Sequence, residues 1–291
     1  MTTTSTEPLP TQIESGVVTV TLEQPGRPVV VLDLDLIRRL VATLKAVPQT
    51  AAGLILRSAS ERVFVAGADL NQIQDAGDEQ LHQYLQLGAR AFGMLCDLPY
   101  PTVAAINGAA LGGGLELAMH CDALIASIPA SKPYPVGLPE AGLGLCPGWG
   151  GTSMLPSRID PAEAIKRTAT GKTFLYEEAR DAGLFVNIQP EQGGLIEACR
   201  AWLAEAKAPP RDSRPSHCIA RKPAVALRAL EEVESDLPDT PAARAVATCV
   251  RVGGESGWEQ AIETERRELV GLRHTDEAKA ALEAFFAKQR G

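Results

Sequence analysis

The chain has 291 residues, 45% of them hydrophobic and 4% aromatic, and a formal charge of -8. Such a length buries a sizeable core, as one large domain or two modest ones. The acidic balance disfavours nucleic acid, which needs a basic footprint; no apolar run approaches the ~20 residues of a membrane helix, so no membrane partner is expected and a cytoplasmic location is the default.

Residues 1–12 are rich in Thr, Ser and Pro, lack the basic and apolar stretches of a secretory signal, and read as a flexible arm. Residues 16–22 alternate apolar and polar side chains with the period of a strand. Pro25-Gly26 ends that strand, and a short apolar segment follows at 29–32. Residues 34–47 show helical spacing, with Leu36, Ile37, Leu40, Val41 and Leu44 on one face. Two short buried strands come next, at 52–56 and 63–66, the second closed by Gly67-Ala68-Asp69. A helix over 79–98 is stopped by Tyr100-Pro101. A strand at 102–106, a turn at Asn107-Gly108, a helix from about 113 to 120 and a strand at 123–127 continue the alternation. This order argues for an α/β layered core through about residue 190. Beyond Gly194 the chain reads as helices at 195–206, 223–234, 241–252, 257–272 and 276–289. The expected division is therefore an arm at 1–12, a core with the active site at 13–193, and a helical packing or assembly region at 194–291.

The six cysteines, Cys96, Cys121, Cys146, Cys199, Cys218 and Cys249, form no Cys-x-x-Cys and read as small buried hydrophobes. His120-Cys121 and His217-Cys218 are weak metal pairs, because sequence neighbours point apart on a helix or strand; no metal site is expected.

Two glutamates stand among apolar and glycine residues rather than on a charged face. Glu116 ends Leu111-Gly112-Gly113-Gly114-Leu115-Glu116, and Glu140 follows Gly137-Leu138-Pro139. Glycines before a helix bare backbone N–H groups, and the helix N-terminus adds positive partial charge, so the first run can hold an anion or a developing oxyanion. The competing reading is close backbone packing, with Glu116 merely favouring its own helix dipole. Gly67-Ala68-Asp69 can present the Ala68 N–H as a second donor; the competing reading is a turn in which Asp69 caps a helix. Pro139 excludes a central strand, so Glu140 is either an ordinary first-turn residue or a second acid/base group facing Glu116.

Phe64-Val65-Ala66-Gly67-Ala68-Asp69, the run from Ala105 through Glu116, and Gly137-Leu138-Pro139-Glu140 through Pro147-Gly148-Trp149-Gly150-Gly151-Thr152 resemble, in order and rough spacing, the crotonase (enoyl-CoA hydratase/isomerase) superfamily. The wording of the last segment looks like the hydratase portion of multifunctional fatty-acid oxidation proteins, without the dehydrogenase portion those append. The resemblance implies an α/β fold, a spiral of ββα units, with C-terminal helices that build a homo-oligomer, a trimer or dimer of trimers. It implies an acyl-CoA thioester as substrate and no metal or redox cofactor, coenzyme A arriving as part of the substrate. It matches Ala68 and Gly113 to the two donors on the thioester oxygen, Glu116 and Glu140 to the acid/base carboxylates, and Gly148 to a glycine whose backbone helps hold the reacting water. It places Arg62, Ala66, Asp69, Leu70 and Asn71 at the coenzyme A contact, and Lys288 near the nucleotide end in a neighbouring subunit.

Keeping both glutamates favours hydration of a trans-2-enoyl-CoA. An isomerase, or a superfamily hydrolase or decarboxylase, is the second expectation, and a non-catalytic acyl-CoA-binding or assembly protein the third. The chain departs from the family pattern by about four extra residues around 129–135. Pro133 and Pro135 stiffen that piece just before Glu140, so Glu140 is the carboxylate expected to be displaced if either is. The stretch 235–258 is also long for the family, and Leu269 stands where an aromatic residue is common.

Overall fold

The computed structural model describes residues 7–186, 190–207 and 223–290. The chain opens with β1 (Thr11–Glu14), β2 (Val17–Leu22) and α1 (Leu34–Ala46). Three units of two strands and a helical segment follow: β3 (Gly53–Ser58) and β4 (Val63–Val65) with α2 (Leu70–Asp75) and α3 (Asp78–Cys96); β5 (Thr102–Ile106) and β6 (Ala109–Leu111) with α4 (Gly113–Met119); and β7 (Ala123–Ala126) and β8 (Pro135–Gly137) with a 3-10 turn at Glu140–Leu143, α5 (Gly151–Arg158) and α6 (Pro161–Thr170). Then come β9 (Phe174–Leu175), α7 (Tyr176–Asp181), α8 (Leu195–Glu205), α9 (Pro223–Val233), α10 (Pro241–Ser256), α11 (Trp258–Leu272) and α12 (Asp276–Arg290).

Each unit gives its first strand to one sheet and its second to another. The five-stranded sheet runs β1-β2-β3-β5-β7 and the four-stranded sheet β4-β6-β8-β9. Within the first, β2, β3, β5 and β7 are parallel, with Leu54 opposite Val18 and Thr102 opposite Leu54. This is the expected spiral of ββα units.

The parallel strands are covered on both faces, which explains their nearly continuous apolar runs. Leu54, Leu56, Ala104, Ile106 and Leu124 face the main core with α1 and α3. Ile55, Val103, Ala105 and Ile125 face the other way, onto Leu195, Cys199 and Leu203 of α8. The boundary expected at 193/194 thus cuts through one core, because α8 is the outer layer of the first sheet. The expected arm is also too long: Leu9 is buried and donates its N–H to Thr43 Oγ1 at 2.8 Å, and Thr11 and Gln12 pair with β2. Residues 1–6 of that arm lie outside the described residues.

Apart from α8, the C-terminal helices pack on one another and on the core's edge. α10 lies against α5, α6, α9 and α11, and α11 lies against α3. Arg273, at the end of α11, donates to the carbonyls of Ile73 at 2.8 Å and Ala76 at 2.6 Å and pairs with Asp78. That guanidinium ties the helical region to the loop between α2 and α3. α12 packs on the Glu140–Leu143 turn, where a side chain on Gly144 would collide with the Ala278 backbone at 2.7 Å.

Five cysteines, Cys96, Cys121, Cys146, Cys199 and Cys249, are buried, as expected; Cys218 and His217 lie outside the described residues. No cluster of metal-ligating side chains forms among the described residues. His120 instead packs edge-on against Phe92 and Trp258, with its Nδ1 2.8 Å from the Glu116 carbonyl. Among the described residues no helix is long and apolar enough to cross a membrane.

Candidate active site

A cavity of about 420 Å³ opens between the two glycine-bearing strand ends and the C-terminal helices. Its polar lining includes Glu116 and Glu140; its apolar lining includes Leu143, Leu145, Leu269 and Phe286.

The first wall comes from the segment after β4. Leu32 forms a single parallel bridge with Ala68. The Leu32 N–H donates to the Gly67 carbonyl at 2.8 Å, and the Asp69 N–H donates to the Leu32 carbonyl at 3.3 Å. In a parallel bridge the residue that takes both flanking bonds is Leu32, so the Ala68 N–H points away from it. The Tyr84 hydroxyl, from α3, also donates to the Leu32 carbonyl and holds this arm in place. Asp69 does cap α2, accepting the Asn71 N–H at 3.0 Å. The capping reading and the exposed Ala68 donor are therefore both present.

The second wall is the glycine run. Gly113 is the first residue of α4, so its N–H has no intrahelical acceptor. Among the described residues no acceptor takes the N–H of Ala68 or of Gly113, and both residues line the cavity. Close packing is equally real in this run, and each glycine has its own reason. Gly112 sits at φ +52°, and a Cβ there would lie 2.6 Å from Glu140 Oε1. A Cβ on Gly113 would enter the Trp149 ring at 2.3 Å, and one on Gly114 would strike the Val65 carbonyl at 2.4 Å.

Glu116 is 1% exposed. It does not serve its own helix. Oε1 accepts the N–H groups of Trp149 and Gly151, each at 2.8 Å, at the N-terminus of α5. Oε2 has no hydrogen-bond partner among the described residues. Burial first, then the charges of Glu265 and Glu140, push its pKa well above the ordinary carboxylate range. Glu140 is half-buried at the start of its 3-10 turn, and its Oε2 is likewise unpartnered among the described residues. Burial raises its pKa to about 8.

The extra residues before Glu140 do not carry it out of the cavity. Tyr134 is buried, donates its hydroxyl to the Ser127 carbonyl at 2.7 Å, and packs against Tyr176. Pro135 then begins β8, which pairs with β6 on one side and β9 on the other. The Gly112 N–H donates to the Gly137 carbonyl at 2.8 Å, so the two catalytic-candidate segments are stitched directly together.

Gly148, Ala66, Asp69, Leu70 and Asn71 all line the cavity, as does Leu269. Gly148 leaves room for Leu269 and Leu85, which would lie 3.0 and 3.1 Å from a Cβ there. Arg62 does not join them: it is exposed, and its backbone carbonyl accepts the Ala109 N–H at 3.2 Å outside the cavity. Lys288 is exposed on α12 and also lies outside this chain's cavity.

Sequence reasoning missed two groups. Arg27 reaches the cavity mouth between Asp33 at 3.5 Å and Asp69 at 3.8 Å, the caps of α1 and α2. Glu265, on α11, is fully buried behind the cavity and accepts from Gly150 and Thr152. Its signal is spacing: Ala261, Glu265 and Leu269 stand four residues apart, which sets Glu265 on the apolar face of the helix.

The family model for enoyl-CoA hydratase/isomerase matches residues 12–232. The chain belongs to the enoyl-CoA hydratase/isomerase, or crotonase, family. It is 31% identical over 287 residues to the fatty acid oxidation complex subunit alpha of Shewanella loihica, covering 95% of this chain but 40% of that protein. The enoyl-CoA hydratase of Bacillus halodurans has the same fold, with a TM-score of 0.69 at 24% identity over 95% of this chain and 99% of that one. So does human mitochondrial delta3-delta2-enoyl-CoA isomerase, with a TM-score of 0.69 at 22% identity over 98% of each chain. Fold likeness of this kind does not separate hydratase from isomerase.

Proposed function

We propose that this member of the family adds water across the trans-2 double bond of an enoyl-CoA thioester, in fatty-acid β-oxidation or related acyl-CoA metabolism. One observation carries the reading: two carboxylates of raised pKa share a cavity with two backbone N–H groups that no acceptor takes among the described residues. In this reading the thioester oxygen accepts the N–H groups of Ala68 and Gly113. They draw electron density from the double bond, make the β-carbon electrophilic and hold the enolate charge, a contribution of roughly 3–4 kcal/mol per donor.

The two glutamates work as a pair holding one proton. The ionised member takes a proton from water as the water oxygen bonds to the β-carbon. The protonated member delivers its proton to the α-carbon as the enolate collapses. The carbon–carbon π bond breaks, one C–O and one C–H bond form, and the pair ends with its proton exchanged between the two carboxyls. Like charges in one buried site keep such a pair from ionising twice near neutral pH. The Gly148 backbone helps hold the water. Ala66, Asp69, Leu70 and Asn71 flank the coenzyme A portion at the mouth, and Lys288 reaches the nucleotide end from a neighbouring subunit of a trimer. The chemistry calls on no metal or redox cofactor.

The test is the loss of conjugated enoyl-thioester absorbance on adding purified protein to short- and long-chain trans-2-enoyl-CoA. Glu116→Gln and Glu140→Gln are each expected to lower kcat by about 10²- to 10³-fold. A protein that hydrates none of these thioesters overturns the reading. The second reading is a double-bond isomerase, the other activity named for this family. An isomerase needs a single glutamate, so one of the two variants would keep activity on a 3-enoyl-CoA. Equal thioester binding by wild type and Glu116→Gln, with no turnover in either, would mark a binding protein.

A further inference from the structure

Glu265 is a buried carboxylate to which hydration assigns no task. It is 0% exposed and does not line the cavity. Four consecutive backbone N–H groups nevertheless link it to Glu116. Trp149 donates to Glu116 at 2.8 Å, Gly150 to Glu265 at 2.6 Å, Gly151 to Glu116 at 2.8 Å and Thr152 to Glu265 at 2.9 Å. The Thr152 hydroxyl adds a further bond to Glu265 at 2.5 Å. Successive N–H groups thus go to opposite partners, and residues 149–152 form a strap with one carboxylate on each side. Gly150 permits this: it stands at φ +101°, and a Cβ there would enter the Trp258 ring at 2.3 Å.

We propose that Glu265 is a positioning residue for Glu116: by holding the alternate N–H groups of the strap, it fixes the two that anchor Glu116 Oε1 and leaves Oε2 for the reaction. This rests on the reading of Glu116 as an acid/base group. Without Glu265, the Gly150 and Thr152 N–H groups are buried with no acceptor, and the strap must move to find one. A displacement on the order of 1 Å at a reacting group can cost about 10²-fold in rate.

The strap also sets charge beside charge. Burial raises the pKa of Glu265 and its three donors oppose that rise; after burial, the charge of Glu265 is the largest influence raising the pKa of Glu116. The other groups facing the pair are Glu140 from the turn after β8, His120 at the C-terminal cap of α4, Tyr84 from α3, and Cys146 of the loop before the strap with Cys249 of α10 behind it. Arg158 is the cation on this side, donating to the Met119 and Cys121 carbonyls. Burial pushes His120 down to about 4 and pushes Tyr84 and Cys146 up, so near neutral pH the carboxylates carry the change in charge.

The experiment compares full-length wild type with Glu265→Gln by two readouts. The first is kcat and KM for a trans-2-enoyl-CoA. The second is the carboxyl ¹³C titration of Glu116 in the free protein, assigned through Glu116→Gln. We expect kcat to fall about 10²-fold, KM to stay within about threefold because Glu265 does not reach the cavity, and the Glu116 midpoint to move down by about one pH unit. If Glu265→Gln does not fold, Thr152→Val, which removes one donor to Glu265, is expected to move both readouts the same way by less, and Thr152→Ser to restore them. A folded variant with wild-type kcat and an unmoved midpoint overturns the proposal, as does one that only melts earlier. If wild type has no turnover, the hydratase reading fails, and the Glu116 midpoint alone judges Glu265.

Discussion

Glu140 shows at the scale of one residue what the site costs the fold. Its carboxyl has an ordinary pKa of 4.5 and is raised by burial to about 8. A carboxyl raised on folding favours the native state only while the unfolded chain is also protonated. Stability from this group is whole below pH 4.5 and is lost as pH climbs toward about 8. Glu140→Gln cannot ionise, so its melting temperature is expected to exceed that of wild type by a margin that widens from pH 5 to 8. Calorimetry across that range checks this, and a constant or shrinking margin would contradict it. Gly112 shares the same constraint from the other side. Its φ of +52° disfavours a side chain, and Glu140 Oε1 fills the space a Cβ would take. The glycine run was legible in the sequence as a bared backbone; that each glycine faces a different neighbour was not.

At the scale of elements, the segment before β8 decides whether Glu140 reaches its partner. The extra residues around 129–135 are a departure that the sequence reveals, and displacement of Glu140 was the natural fear. The structure holds the segment at its end rather than along its length. Ser131, Lys132 and Pro133 are exposed, whereas Tyr134 is buried and bonded to Ser127. Register with β6 then fixes where Glu140 begins its turn. Tyr134→Phe removes one buried hydrogen bond, about 1 kcal/mol, and should lower the melting temperature by roughly 2–4 °C while kcat stays within about twofold. A large loss of kcat in a well-folded variant would show that the loop, and not the β6 pairing, aims Glu140. α2 was missed as an element because six residues carry too little periodicity to register; only its cap, Asp69, was visible.

At the scale of the whole molecule, the helical third is joined to the core by specific bonds. Arg273 reaches Ile73 of α2, Ala76 of the loop that follows and Asp78 at the start of α3, α12 lies on the Glu140 turn, and α11 carries both Leu269 at the cavity and Glu265 behind it. We propose that this region also builds a trimer or a dimer of trimers, which would bring Lys288 of one subunit to the cavity of the next. Light scattering is expected to give the mass of three or six chains, with Lys288→Ala raising KM for the CoA thioester. A single-chain mass together with an unaltered KM would exclude that arrangement.

The sequence by itself determined the family, the alternating strands and helices, and the two carboxylates, because short-range periodicity and glycine spacing are local properties of the chain. Tertiary structure alone decided which groups converge. It set Arg62 outside the cavity and closed Glu140 against Gly112. It also brought Glu265, 149 positions after Glu116, onto the same strap of backbone. The reason is physical: each carboxylate takes its properties from burial and from donors far away in the chain, and no local pattern encodes those.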